Sequence, residues 1–296
     1  MKIAKVIATC FKSKNVILKT KLTGNPLGYY YHSQNFVSTQ DIIDLIKLHI
    51  EIEATTDPGI DLDIIIVNSD VGDIEGNNFI NSLDNKKLLR GKIITFNRKN
   101  QGLSFGAYSD AFEKFRNKYE YFLFTEDDVL IYKNNYAKYG VDLLNSENKF
   151  GFVAYVGVTK LKKEHIRLLN LNDSNGFSCH GGIGLSSTKI LNKIFKKQNK
   201  LPHYNGTDYQ KGIIYGEILF TADIVKEGYD LVDLPDDKIF SIPAYDYMRN
   251  IKYRKKPNII EIVYFYIKRL VYITFSINPS LQKFYFKILK FLKINN

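Results

Sequence analysis

The chain has 296 residues, 45% apolar and 25% charged, with 19 Gly and seven Pro, which excludes wholesale disorder and collagen-like or Pro-rich sequence. Its formal net charge of +11 is concentrated in residues 249–296, where eleven Lys or Arg stand against one acid, Glu261; the nearly neutral remainder offers nucleic acid no basic field. Two cysteines, Cys10 and Cys179, are too few for a disulfide framework or a multi-cysteine zinc site and fit a reduced, cytosolic setting.

The run Lys2–Thr9 is short and apolar and predicts a first buried strand. Lys5 interrupts it, so it does not read as a signal peptide. Phe11–Gln40 is rich in Gly, Asn, Ser and Tyr and reads as loop. Ile42, Ile43, Leu45, Ile46 and Ile50 have helical spacing, which predicts a helix over Asp41–Glu53, ended by Asp57-Pro58-Gly59. Leu62–Val67 predicts a second strand that runs into a polar turn, Asn68–Asp73. Lys92–Phe96 predicts a third strand, Gly106–Tyr119 a helix, Tyr121–Phe124 a fourth strand and Phe150–Val158 a fifth. With 20 Phe, 21 Tyr and no Trp, aromatic rings carry much of the core. Strands alternating with helices imply a mainly parallel α/β sheet, with ligands bound beyond the carboxyl ends of the strands.

The fourth strand ends directly in Glu126-Asp127-Asp128. Three adjacent carboxylates repel one another unless a cation offsets them, and hard oxygen ligands suit Mg²⁺ or Mn²⁺. The plain alternative is a solvated loop with Lys or Arg partners. The segment Tyr121-Phe122-Leu123-Phe124-Thr125-Glu126-Asp127-Asp128-Val129 resembles the metal-binding segment of GT-A nucleotide-sugar glycosyltransferases, in which an acidic motif follows a buried strand. The resemblance implies a Rossmann-like GT-A domain over residues 1–240, its nucleotide-sugar half 1–130 and its acceptor half 131–240. It implies Asp128 as the direct metal ligand, with Glu126 and Asp127 on metal, metal-bound water or donor ribose.

Other segments extend the resemblance. Asn97–Ala107 is similar to the Asn-x-Gly-x-Ser stretch before the motif in family-two-like members, which implies that Asn100 and Gly102 line the donor site. It also implies that Arg98 or Lys99 meets phosphate. Where that family carries paired aspartates after strand two, this chain has Asn68-Ser69-Asp70, so either Asp70 or Asn68 stands for the nucleobase contact. Thr9, Cys10 and Phe11, after strand one, are expected to line the base pocket. Cys179-His180-Gly181-Gly182 resembles the family's Gly-rich acceptor-side segment, with His180, Gly181 and Gly182 at the donor sugar. A nucleophilic Cys179–His180 pair is disfavoured, since adjacent residues on a strand point to opposite faces. The block Tyr215-Gly216-Glu217-Ile218 precedes a predicted helix to Lys226, then Gly228–Pro235. It resembles the block whose acid is the general base in inverting members; Glu217 takes that place, with Asp208 and Asp223 in reserve.

In the tail, Ile259–Ile277 is interrupted by Glu261, Lys268 and Arg269 and falls short of the ~18 apolar residues that span a membrane. Lys283, Lys287, Lys290 and Lys293 line one helical face, away from Phe284, Ile288, Phe291 and Leu292. Residues 241–296 therefore read as a basic amphipathic helical extension on an anionic membrane surface. The resemblance implies a metal-dependent hexosyltransferase of envelope-polysaccharide type at the cytoplasmic face of the membrane, inverting at the anomeric carbon. It would use a nucleotide-sugar donor and a glycan or lipid-linked acceptor. Two alternatives stand: a sugar-phosphate nucleotidyltransferase, and a non-enzymatic module in which only the tail binds.

Overall fold

A computed structural model describes residues 1–11, 39–127, 129–131, 133–171, 176–235 and 238. The chain divides into two units, Met1–Val16 with Phe36–Ala244 and Ile17–Asn35 with Tyr245–Asn296, and every described residue belongs to the first. The expectations for Asp128 and for the basic extension therefore lie outside the described residues. Among the described residues no helix is long and apolar enough to cross a membrane.

Strand β1 (Ile3–Thr9) is buried along its whole length, as a strand covered by helices on both faces must be. It pairs in parallel with β2 (Leu62–Asp70) on one side and β5 (Tyr121–Glu126) on the other. Beyond β2 lie β4 (Gly91–Lys99), parallel, and the short antiparallel β3 (Lys87–Leu88). Beyond β5, β9 (Gly184–Ser187) runs antiparallel and joins β6 (Phe150–Ala154), and β10 (Asp230–Asp233) pairs with β6 in parallel. The eight-stranded order is β10-β6-β9-β5-β1-β2-β4-β3. This is the mainly parallel, Rossmann-like layout expected from the sequence. The carboxyl ends of β1, β2, β4, β5, β6 and β10 lie at one end of the sheet. A separate ribbon pairs β7 (Val158–Lys160) with β8 (Phe177–Cys179).

Helices cover both faces, and alternation along β1 decides which residue meets which. Ala4, Val6 and Ala8 share a core with Ala107, Tyr108, Ala111 and Phe112 of α3 (Leu103–Phe115) and with Phe122 and Phe124 of β5. Helix α6 (Thr188–Gln198) adds Ile190, Leu191, Ile194 and Phe195 to that core. Ring pairs knit it, Tyr108 to Phe124 at 4.9 Å and Phe112 to Phe122 at 5.0 Å. On the opposite face Lys5 meets Glu53 of α1 (Thr39–Thr55) and Tyr136 of α4 (Tyr136–Ser146). Helix α2 (Ile74–Ser82) follows β2, with Asp73 capping its first turn.

Several boundaries differ from those read in the sequence. Strand β2 continues through Asn68, Ser69 and Asp70, because β4 pairs with all three as Asn97, Arg98 and Lys99. Ladder pairing with a neighbour outweighs a polar composition that otherwise signals a turn. Glu126 likewise ends β5 instead of opening a loop. Helix α3 starts at Leu103, after Gly102 at φ 73°, and ends at Phe115. The run expected as one strand over Phe150–Val158 breaks after Ala154. Tyr215 to Ile218 do not precede a helix but lie inside one: α7 (Tyr209–Gly212), a π-helical segment Ile213–Ile218 and α8 (Leu219–Lys226) follow without a gap.

Candidate functional site

The carboxyl end of β5 carries the acidic residues, and neighbouring elements hold both described ones. Alternation turns Glu126 toward α3, where Ser104 Oγ in the first helical turn donates to Glu126 Oε1 at 2.5 Å. Asp127 turns toward the opposite face, where Thr9 Oγ1 at the end of β1 donates to Asp127 Oδ2 at 2.6 Å. The Asp127 N–H donates to the Ala8 carbonyl at 3.2 Å, and His49 Nδ1 of α1 lies 3.3 Å from the Asp127 carbonyl oxygen. Val129, Leu130 and Ile131 then return to the core. The turn is thus pinned between buried segments.

The exits of β1, β2 and β4 lie beside it. Thr9 is buried and serves Asp127. Asn100 Nδ2 approaches Cys10 Sγ at 3.8 Å. Phe11 is buried under α2, close enough that a Cβ on Gly76 would lie 2.3 Å from its ring. Asn68 is buried and donates to Asn77 Oδ1 at 2.6 Å and Asn97 Oδ1 at 2.9 Å, while its own Oδ1 has no hydrogen-bond partner among the described residues. Asp70 is exposed and accepts from Asn77 Nδ2 at 2.9 Å and the Gly72 N–H at 2.8 Å, which holds its carboxyl below the ordinary range. Arg98 is engaged within the fold: it pairs with Asp110 and donates to Ser69 Oγ at 3.2 Å and the Gln101 carbonyl at 2.7 Å. Gly102 and Gly106 permit close approach, but to the chain's own His203–Gly206 segment and to Gln101.

A second group forms where β8 ends. His180, Gly181 and Gly182 make one tight turn in which both glycines have positive φ, 64° and 60°. A Cβ on Gly182 would lie 2.5 Å from the Phe105 ring. His180 Nδ1 sits 3.7 Å from Glu217 Oε1, and both side chains are half-buried. Glu217 lies on the wide π-helical turn, a geometry that recurs at functional sites. Asp208 caps α7 through the Lys211 N–H at 2.8 Å. Asp223 faces Lys226 at 3.6 Å, and burial raises its pKa.

The first turn of α3 joins the two groups. Ser104 binds Glu126, Phe105 packs against Gly182 and Gly216, and Leu103 packs against Gly212. One helical turn is therefore a shared wall between the acidic pair and the His180–Glu217 pair. Ser104 and Phe105 belong to the Asn97–Ala107 segment but carry no role that their residue types alone disclose. His49 lies in a stretch that reads as plain amphipathic helix, and Asn77 lies in helix α2, between the second and third predicted strands.

Cys179 is buried, and burial pushes its thiol well above the ordinary value, with the charges of Glu217 and Asp233 adding to the effect. Its Sγ donates to the Ile183 carbonyl at 3.3 Å. A protonated, enclosed thiol is no nucleophile. Titration of the native protein with a thiol reagent is expected to show one fast group, the half-buried Cys10, and a second only on unfolding.

Glu126 and Asp127 each carry hard oxygen donors of the kind a divalent cation takes, on opposite faces of the strand end. Among the described residues no three His, Cys, Asp or Glu side chains are grouped to hold a metal ion.

No family model and no curated protein matches the chain. Among solved structures it is similar to a mannosyltransferase from Pyrobaculum calidifontis in complex with GDP-Man and Mn²⁺, at 12% identity and a TM-score of 0.45. That match covers 86% of this chain and 65% of the mannosyltransferase, so the chain spans under two thirds of that protein's length. It is also similar to a CMP:2-keto-3-deoxy-manno-octonic acid synthetase complexed with CTP, at 11% identity and a TM-score of 0.43, covering 79% of this chain and 89% of that one. A third is the galactosyltransferase LgtC in complex with donor and acceptor sugar analogues, at 10% identity and a TM-score of 0.38, covering 87% and 84%. These three are thus two glycosyltransferases and one nucleotidyltransferase.

Proposed function

We propose that the chain is a metal-dependent glycosyltransferase that moves a sugar from a nucleotide-sugar donor to a glycan or lipid-linked acceptor, with inversion. The observation that carries this reading is the shared wall at the first turn of α3. On one side of it stand the pinned carboxylates at the end of β5, and on the other the Glu217–His180 pair. Asp128 and Glu126 would hold the cation, with Asp127 on ribose or metal-bound water. A Mg²⁺ or Mn²⁺ bound there would neutralise the leaving diphosphate. Residues 1–130 would take the nucleotide and 131–240 the acceptor.

Glu217 would accept the proton of the acceptor hydroxyl. The freed oxygen bonds to the anomeric carbon, and the bond to the diphosphate oxygen breaks with its electron pair. One displacement from the opposite face inverts the anomeric centre. The basic extension at residues 249–296 would hold the enzyme peripherally on an anionic membrane at its cytoplasmic face, next to a lipid-linked acceptor.

The test is thermal stability with UDP, GDP, dTDP and CMP, each with and without Mn²⁺ or Mg²⁺, in the wild type and in Asp128→Ala. A nucleotide at 100 times its dissociation constant adds about 2.7 kcal/mol. The expected result is a metal-dependent rise with one nucleotide, lost in Asp128→Ala. The absence of a rise with every nucleotide would overturn the reading.

A further inference from the structure

Behind the acidic turn lies a set of buried polar groups that the proposed reaction does not use. Lys5, in the middle of β1, is fully buried and donates to Glu53 of α1. Its ammonium lies 5.1 Å from the centre of the Tyr136 ring, and the Tyr136 hydroxyl donates to Glu53 Oε2 at 2.7 Å. One turn earlier on α1, His49 is 1% exposed, with Nε2 3.7 Å from Glu53 Oε1. Its Nδ1 faces the Asp127 carbonyl oxygen.

A carbonyl oxygen only accepts, so a hydrogen bond here needs the tautomer with its hydrogen on Nδ1. In that tautomer Nε2 is bare, and among the described residues it has no hydrogen-bond partner, with Glu53 Oε1 3.7 Å away. A buried ion pair is a weak stabiliser compared with apolar residues of similar volume, so its presence calls for a local use. Here the buried cluster of Lys5, Glu53 and His49 meets the acidic turn at one backbone carbonyl, that of Asp127. Asp127 is thereby tied through all three of its polar groups: its N–H to Ala8, its carboxylate to Thr9, and its carbonyl to His49.

We propose that His49 is a positioning residue for the acidic turn: by donating Nδ1–H to the Asp127 carbonyl it fixes the peptide that leaves Asp127 toward residue 128. Glu53, itself paired with Lys5, lies 3.7 Å behind the ring that makes this contact. The proposal rests on the reading of the turn as the cation-bearing part of a donor site.

The experiment measures Mn²⁺ binding, with no nucleotide, from the free-ion paramagnetic signal. The proteins are the full-length wild type, Asp128→Ala, His49→Phe and His49→Asn. Losing one hydrogen bond is expected to weaken Mn²⁺ about threefold to tenfold in His49→Phe. His49→Asn, whose amide places a donor near the Nδ1 position, is expected to recover most of the affinity. Wild-type affinity in His49→Phe, with binding lost in Asp128→Ala, would overturn the positioning role and leave the donor site standing. No Mn²⁺ binding by the wild type, or equal binding by Asp128→Ala, would overturn both. A nitrogen-15 correlation spectrum of the wild-type imidazole needs no variant: hydrogen on Nδ1 of His49 is expected, and hydrogen on Nε2 alone would overturn the proposal.

Discussion

Replacing Glu217 by Gln is expected to lower turnover about 10²- to 10⁴-fold, the range over which a positioned general base contributes. The substitution keeps size and hydrogen bonding but removes the group that takes the acceptor's proton. The measurement is release of nucleoside diphosphate from whichever nucleotide-sugar carries the base that stabilises the protein. The donor KM should change little, because the nucleotide's contacts are assigned to the other side of the α3 turn. Glu217 is favoured over the reserve acids on geometry. It stands 3.7 Å from His180 on a π-helical turn whose Gly216 packs on Phe105, next to Ser104 and so to Glu126. Asp208 is occupied as a helix cap, and Asp223 is buried against Lys226. Asp208→Asn and Asp223→Asn should therefore turn over near the wild-type rate. Turnover of Glu217→Gln within tenfold of wild type would remove it from the proton transfer.

The layout of the sheet was readable from apolar runs, since a strand covered on both faces must be apolar throughout, as β1 and β5 nearly are. The exceptions are instructive. Lys5 looks like a flaw in an apolar run, yet it is fully buried, because its partner Glu53 lies 48 residues along the chain and only the fold brings them together. Asn68 and Asp70 look like a turn because their pairing with Asn97 and Lys99 is equally non-local. The acidic motif was legible from its place after a buried strand. How its members are held was not: Ser104, Thr9 and His49 reach Glu126 and Asp127 from three other elements. Thr9, expected to line the base pocket, also partners a carboxylate. Of Arg98 and Lys99, expected at phosphate, Arg98 also braces β4 to α3 through Asp110. In each case the residue type was informative and the partner was not.

Breaking the buried pair is expected to cost more than any surface change in this chain. Glu53→Gln leaves the Lys5 ammonium enclosed without its counter-charge, a situation that costs about 3–5 kcal/mol. Urea unfolding at pH 7 measures it, and a loss under about 1 kcal/mol would contradict the expectation, since that is within the effect of an ordinary surface substitution. The double change Lys5→Met with Glu53→Leu removes both charges and should regain most of the loss, because apolar side chains of similar volume serve a buried site as well as an ion pair does. Acid probes the same pair in the wild type. Burial pushes the Glu53 carboxyl up, but the Lys5 charge pulls it further down, so it ends well below the ordinary carboxylate range. A depressed carboxylate contributes stability at every pH above its unfolded value, and that contribution fades as pH falls through the folded value. The wild type should therefore lose stability progressively below about pH 4.5, and the Lys5→Met/Glu53→Leu variant should lose less over the same window. Tyr136 does not change this sign, since burial and the Glu53 charge hold its hydroxyl protonated well above the ordinary value, as a donor throughout. An identical acid profile in the double variant would assign the loss to other carboxylates and leave the pair without a part in acid stability.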